Sequence, residues 1–169
     1  MNKSDLIKRL REIELIYKEK VVLRSGEVSD FYCDIKKAFG YPDILNALAD
    51  AIGGKISEEV TCVAASGYGG LPLASVVASR FNKKFTAVRS SEKNHGKGGM
   101  LDGYVPKEDD VVIIIDDVLT SGSSIKETQS ALKELGINVD SAIVVVKRGD
   151  PELPIPYSFI FTLAEIVEK

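Results

Sequence analysis

The chain has 169 residues, 22 of them basic and 25 acidic, for a formal net charge of −3. That length can bury a real core within one folding unit, expected here over residues 1–169, and the charge balance argues against a nucleic-acid or membrane-surface binder driven by bulk electrostatics. No apolar run approaches the roughly 20 residues needed to span a bilayer, and the opening MNKSDLIKRLREIELIYKEK reads as a charged helix, not a secretory signal. The cytoplasm is the expected compartment.

Leu6, Ile7, Leu10, Ile13, Ile16 and Tyr17 recur at helical spacing and predict one amphipathic helix over about 4–18, with Ser4 as its cap. Between 21 and 37, β-branched and aromatic residues flank Ser25-Gly26-Glu27, which predicts two short strands or a hairpin-like excursion. These first 40 residues form a segment ahead of an α/β core from 41 to 169. Pro42 opens a second helix through Ile44, Leu45, Leu48 and Ile52 that Gly53-Gly54 stops. The chain then alternates: apolar run 60–65, helix 71–81, strands 85–88 and 111–115, helix 124–135, strand 142–146, Pro-rich loop 150–156 and a last strand near 157–163. Continuous apolar strands between helices predict a doubly wound α/β fold, its parallel sheet covered on both faces and its ligands outside the C-terminal strand ends. Cys33 and Cys62 are far apart and lack partners at metal-binding spacing, so both are expected to be buried thiols.

The densest chemistry lies in Val111-Val-Ile-Ile-Ile-Asp-Asp-Val-Leu-Thr-Ser-Gly-Ser-Ser-Ile125. Small hydroxyl residues opening a helix leave N–H donors and the positive dipole end exposed to phosphate. Asp116 and Asp117 would repel a bare polyphosphate, so their place beside such a cradle makes sense when they hold hydroxyls, a metal ion or developing positive charge. A ribose phosphate offers all three. The string resembles the phosphoribosyl pyrophosphate (PRPP) signature of the type I phosphoribosyltransferase family. By that resemblance Asp116 and Asp117 face the ribose hydroxyls and Thr120, Ser121, Gly122, Ser123 and Ser124 wrap the 5′-phosphate, with Val118 and Leu119 in the same PRPP-binding run.

Ser66-Gly-Tyr-Gly-Gly-Leu-Pro-Leu-Ala74 is a second Gly-rich stretch. Pro72 occupies the place of the third glycine of a dinucleotide fingerprint, and no acid closes the next strand, so a nicotinamide cofactor is not indicated. The stretch resembles the family's pyrophosphate-binding loop, although many members carry a lysine near the position of Gly69.

Val88-Arg-Ser-Ser-Glu-Lys-Asn-His-Gly-Lys-Gly-Gly-Met-Leu-Asp-Gly103 contains Arg89, Lys93, Lys97 and the single histidine, His95. It reads as one long functional loop, an anion-binding lid. An arginine, a lysine four residues on and His-Gly two further resemble the hood of orotate phosphoribosyltransferases. A lysine commonly follows that arginine; here Ser90 stands there. Val22-Leu-Arg-Ser-Gly-Glu-Val-Ser-Asp-Phe-Tyr-Cys-Asp34 resembles the segment that closes over orotate, with Arg24 in place of the usual lysine. Arg148, in Val144-Val-Val-Lys-Arg-Gly149, matches the arginine that grips the orotate carboxylate through paired hydrogen bonds.

The resemblance, which spans about 21–163, implies transfer of the phosphoribosyl group of PRPP to orotate in pyrimidine biosynthesis. It implies Lys93, His95, Asp116 and Asp117 as catalytic residues; Arg89, Ser90, Lys93, His95 and the 116–124 run on PRPP; and Arg24, Thr120 and Arg148 on orotate. Mg²⁺, held mainly by PRPP and water, is the implied cofactor, and a homodimer with shared active sites the implied assembly. A purine or uracil phosphoribosyltransferase and a PRPP-sensing transcriptional regulator are the alternatives; the hood disfavours the first, and the lack of a helix-turn-helix disfavours the second.

Overall fold

The structure is a computed structural model describing residues 1–17, 20–22, 28–29, 32–89 and 99–167. In chain order it contains α1 (Lys3–Glu12), β1 (Ile16–Tyr17), β2 (Val21–Val22), β3 (Val28–Ser29), β4 (Tyr32–Cys33), a 3₁₀ helix (Ile35–Gly40), α2 (Pro42–Gly53), β5 (Cys62–Ser66), α3 (Gly67–Arg80) and β6 (Lys84–Val88). Then follow β7 (Leu101–Gly103), β8 (Val112–Leu119), α4 (Ser123–Glu134), β9 (Val139–Lys147), β10 (Tyr157–Thr162) and α5 (Leu163–Val167).

Six strands form the main sheet in the order β10-β9-β8-β5-β6-β7. All its pairings are parallel except that of the edge strand β7 with β6. The apolar runs are continuous because alternate residues serve two cores. Val63, Ala65, Ile113, Ile115, Ile143 and Val145 pack with α1, α2 and α3, whereas Cys62, Ala64, Val112, Ile114, Ala142 and Val144 pack with α4. The sheet is therefore covered on both faces, as its composition predicts. Chain order runs outward from β5 through β6 on one side and from β8 through β9 to β10 on the other. The switch point thus falls between β5 and β8, where a crevice opens at the C-terminal strand ends.

Several boundaries differ from expectation. The first helix is capped by Asn2, whose Oδ1 accepts the Asp5 N–H at 2.9 Å, not by Ser4. It stops at Glu12, because Glu14 adopts a left-handed φ of 51° and Ile16 and Tyr17 leave to pair with Cys33 and Tyr32. Helical periodicity lost there to strand pairing. The hairpin-like excursion is present as β2 against β3; its turn residues 23–27 lie outside the described residues. The 3₁₀ helix over Ile35–Gly40 was not expected. Helix α3 starts at Gly67, so the Gly-rich stretch is its first turn and not a loop. Strand β8 runs on to Leu119, which places Asp116 and Asp117 inside the strand and not after it, because pairing with β9 continues to Leu119↔Lys147. The 88–103 stretch is likewise not all loop: Leu101, Asp102 and Gly103 pair with Val88, Ala87 and Thr86. Cys33 and Cys62 are buried free thiols. Among the described residues no helix is long and apolar enough to cross a membrane.

Candidate active site

At the switch point the acidic pair is held by its own backbone. Asp117 N–H donates to Asp116 Oδ1 at 2.9 Å, and Val118 N–H donates to Asp117 Oδ1 at 2.8 Å. Asp116 is buried. Burial, and next the charge of Asp117, raise its pKa, against the opposing pull of the Asp117 N–H and Ser124.

The first turn of α3 rests directly on this pair. A Cβ on Gly69 would lie 2.4 Å from Asp117 Oδ1, and one on Gly70 would lie 2.7 Å from the Ile115 carbonyl oxygen and 3.5 Å from Asp116 Oδ1. Gly70 must therefore be glycine for α3 to approach β8 so closely, and Gly69 leaves the Asp117 carboxylate its place; the approach brings the positive end of a 14-residue helix to Asp117. The close contact is with a carboxylate, a role the sequence reading of this stretch had missed; two adjacent glycines at the start of a helix were its visible sign.

The run after β8 turns into α4 through Gly122, whose φ of 75° makes it the left-handed N-cap. A Cβ there would also meet Leu153 at 2.4 Å, so the Pro-rich loop 150–156 backs the turn. Ser121 and Ser123 hydroxyls lie 2.9 Å apart. Thr128 donates to the Ser124 carbonyl and shares a hydrogen bond with Ser66, each at 2.7 Å, which stitches the first turn of α4 to the end of β5. The turn is thus a rigid N-terminal cradle suited to a phosphate.

Arg148 follows β9 directly. Its N–H and that of Gly149 both donate to the Leu119 carbonyl at 2.9 Å. A Cβ on Gly149 would fall 2.2 Å from the Thr120 carbonyl oxygen, so this glycine lets the arginine loop lie against the phosphate turn. Cys33 of β4 is buried nearby: burial pushes its thiol up to about 12, and the charges acting on it are Asp117, Arg148, Asp34 and Lys36. Four elements therefore meet at one point. Asp34 and Lys36 were not singled out from the sequence, since only folding brings the 3₁₀ helix beside β8.

On the α4 side, a cleft of about 300 Å³ is lined by Ser66, Gly67, Arg89, Ser124, Glu127 and Thr128, among others. Arg89 pairs with Asp102 of β7, a partner not anticipated. The expected site residues Asp116, Asp117, Val118, Leu119, Thr120, Ser121, Gly122, Ser123, Ser124 and Arg148 are thus contiguous, with Arg89 across the cleft. Arg24, Ser90, Lys93 and His95 lie outside the described residues. No group of three or more His, Cys, Asp or Glu suited to a metal occurs among the described residues.

A carboxylate pair at a parallel-sheet switch point, bracketed by two glycine-dependent helix starts, is the arrangement expected of a phosphoribosyltransferase. Comparison agrees: residues 41–168 match the phosphoribosyl transferase domain family. The chain is 36% identical over 146 residues to an orotate phosphoribosyltransferase of Methanocaldococcus jannaschii, covering 86% of this chain and 82% of that one. It is also 36% identical over 151 residues to that of Pyrococcus furiosus, with coverage of 88% and 82%. The crystal structure of orotate phosphoribosyltransferase from Aeropyrum pernix superposes with a TM-score of 0.81 at 28% identity over 96% of both chains. The chain belongs to the orotate phosphoribosyltransferase family.

Proposed function

We propose that this chain transfers the 5-phosphoribosyl group of PRPP to orotate, releasing pyrophosphate and orotidine 5′-monophosphate, as a cytoplasmic enzyme of pyrimidine biosynthesis. The observation that carries the reading is the shared backbone anchor of Leu119: one carbonyl holds the Arg148 loop against the turn that follows the Asp116–Asp117 strand. In this reading the phosphate, ribose and acceptor sites are neighbours.

The 5′-phosphate takes the N–H groups of Thr120–Ser124 at the start of α4. Asp116 and Asp117 accept hydrogen bonds from the ribose hydroxyls. As the bond from C1 to pyrophosphate breaks, positive charge spreads over the ribose, and the Asp117 carboxylate, fixed by the Val118 N–H, is already oriented to stabilise it. N1 of orotate forms the new bond as the C1–O bond breaks, its proton passing to the departing pyrophosphate, while Arg148 grips the carboxylate and Thr120 borders the ring. Arg89, with Lys93 and His95 from the hood, completes the pyrophosphate side. Asp116 and Asp117 offer at most two carboxylates among the described residues, which suits Mg²⁺ that keeps water and substrate oxygens as its main shell, and the ion would supply charge neutralisation of the pyrophosphate.

The test is loss of orotate absorbance with PRPP and Mg²⁺, run beside adenine, hypoxanthine, guanine and uracil. Orotate alone should be consumed. Preferential turnover of a purine or uracil would overturn the assignment, as would operator-type DNA binding without turnover.

A further inference from the structure

Lys36 is the first basic residue of the 3₁₀ helix, and its surroundings are organised to hold its ammonium in place. Nζ lies 2.9 Å from Asp34 Oδ1, 3.2 Å from the Tyr32 hydroxyl and 5.6 Å from the centre of the Tyr32 ring. Tyr32 is in turn fixed by the pairing of β4 with β1, and the Asp34 N–H donates to the Leu15 carbonyl at 2.8 Å. A surface lysine has no need of this scaffold. The Lys36 and Asp34 side chains are only 39% and 28% exposed, and the 3₁₀ helix packs against both α3 and β8.

The charges around this point decide what it can bind. Asp117 acts on Lys36 as well as on Cys33, and Arg148 acts on Cys33. Among the described residues, Asp34 and Asp117 place negative charge on this side of the site and Arg148 positive charge; Lys36 adds a second cation, which favours an anionic base. An ammonium has three N–H donors; one goes to the Tyr32 hydroxyl while Asp34 Oδ1 holds the charge as an ion pair, which leaves donor capacity for an acceptor oxygen.

We propose that Lys36 is a substrate-binding residue of the acceptor pocket, whose ammonium, fixed by Asp34 and Tyr32, donates to an oxygen of the anionic pyrimidine and acts with Arg148 to favour a charged base over a neutral one. This rests on the assignment of orotate as acceptor.

The experiment compares wild type with Lys36→Met, Lys36→Arg and the double variant Asp34→Asn/Lys36→Met, which removes the ion pair without leaving a lone carboxylate. KM for orotate, KM for PRPP, kcat, the Kd of orotidine 5′-monophosphate by calorimetry and the thermal unfolding midpoint are measured for each. Both uncharged variants should raise KM for orotate and the product Kd by about ten-fold or more, leave KM for PRPP within about two-fold, and unfold near the wild-type temperature; Lys36→Arg should recover part of the loss. A double variant that folds normally and keeps the wild-type KM for orotate overturns the proposal, as does an equal rise in both KM values. If Lys36→Met fails to fold, the double variant decides; if neither uncharged variant folds, an unchanged orotate KM in Lys36→Arg counts against a direct contact. A wild-type enzyme that ignores orotate would remove the functional reading itself, a result separable from a failure at Lys36 alone.

Discussion

Gly69→Ala should separate activity from stability. A Cβ there would lie 2.4 and 2.6 Å from the two Asp117 carboxylate oxygens and 2.5 Å from the carbon between them. Ordinary non-bonded contact needs about 3.5 Å, so the carboxylate must retreat by about 1 Å. The obstacle is the end of a side chain and not backbone, and Gly69, unlike Gly67, does not use a positive φ; the helix can accept alanine, which has up to about 1 kcal/mol more helix propensity than glycine. Misplacing a charge-stabilising group by about 1 Å costs about 100-fold in rate, or about 2.7 kcal/mol. The expected outcome is therefore kcat/KM reduced about 100-fold with an unfolding midpoint equal to or above that of the wild type, read by orotate absorbance and by circular dichroism. Gly70→Ala is the contrast, since its Cβ meets the Ile115 carbonyl oxygen at 2.7 Å and Ala65 Cβ at 3.2 Å, and it should lower the midpoint. A Gly69→Ala enzyme within about two-fold of wild-type kcat/KM, or one whose midpoint falls as far as that of Gly70→Ala, would refute the contact.

Asp116→Asn tests the buried carboxyl. Burial and the Asp117 charge raise the native pKa of Asp116, so the native state holds its proton to higher pH than the unfolded chain, and native stability falls as pH rises from the ordinary carboxylate range toward the raised value. The variant should match the wild-type unfolding midpoint below that window and exceed it above, while losing kcat; parallel midpoints across the range would refute the sign. Arg148→Ala should raise KM for orotate far more than KM for PRPP, a loss of about 2–5 kcal/mol if the carboxylate pair is desolvated, and equal effects on both would reject the assignment. For the proposed homodimer, mixing Lys93→Ala and Asp117→Ala subunits after reversible dissociation should restore part of the activity if the hood serves the partner's site. Mixed dimers verified by mass but still inactive would exclude sharing.

What could be read from the sequence followed the range of the interactions involved. The runs 60–65, 111–115 and 142–146 are apolar throughout because both faces are buried, and that pattern needs no knowledge of neighbours. The end of β8 was hidden: aspartates are poor strand formers, and only pairing with β9 keeps Asp116 and Asp117 extended. Glycine-rich sequence at 67–70 is poor in helix propensity, so the start of α3 was obscured by the residues that let it lie so close to Asp117 and the Ile115 carbonyl. The strand-to-helix junction that carries Asp116, Asp117 and the 120–124 turn was legible because its local order, acids then hydroxyls, is visible in the sequence, whereas Arg148 was singled out only by its resemblance to the family's arginine. Lys36 is 81 positions from Asp117 in a segment with no such order, and the place proposed for it depends on tertiary contacts that include the pairing of β4 with β1.

The doubly used Leu119 carbonyl has a thermodynamic consequence. It ties the loop bearing Arg148 to the turn proposed to receive phosphate, a direct backbone link through which ligation of one is expected to act on the other. Coupling of this kind is reciprocal: whatever factor bound PRPP contributes to the affinity for the acceptor, the bound acceptor must contribute to the affinity for PRPP. An enzyme that must not expose a ribosyl cation to water gains from such mutual tightening, because each half-filled site is held less firmly than the complete one.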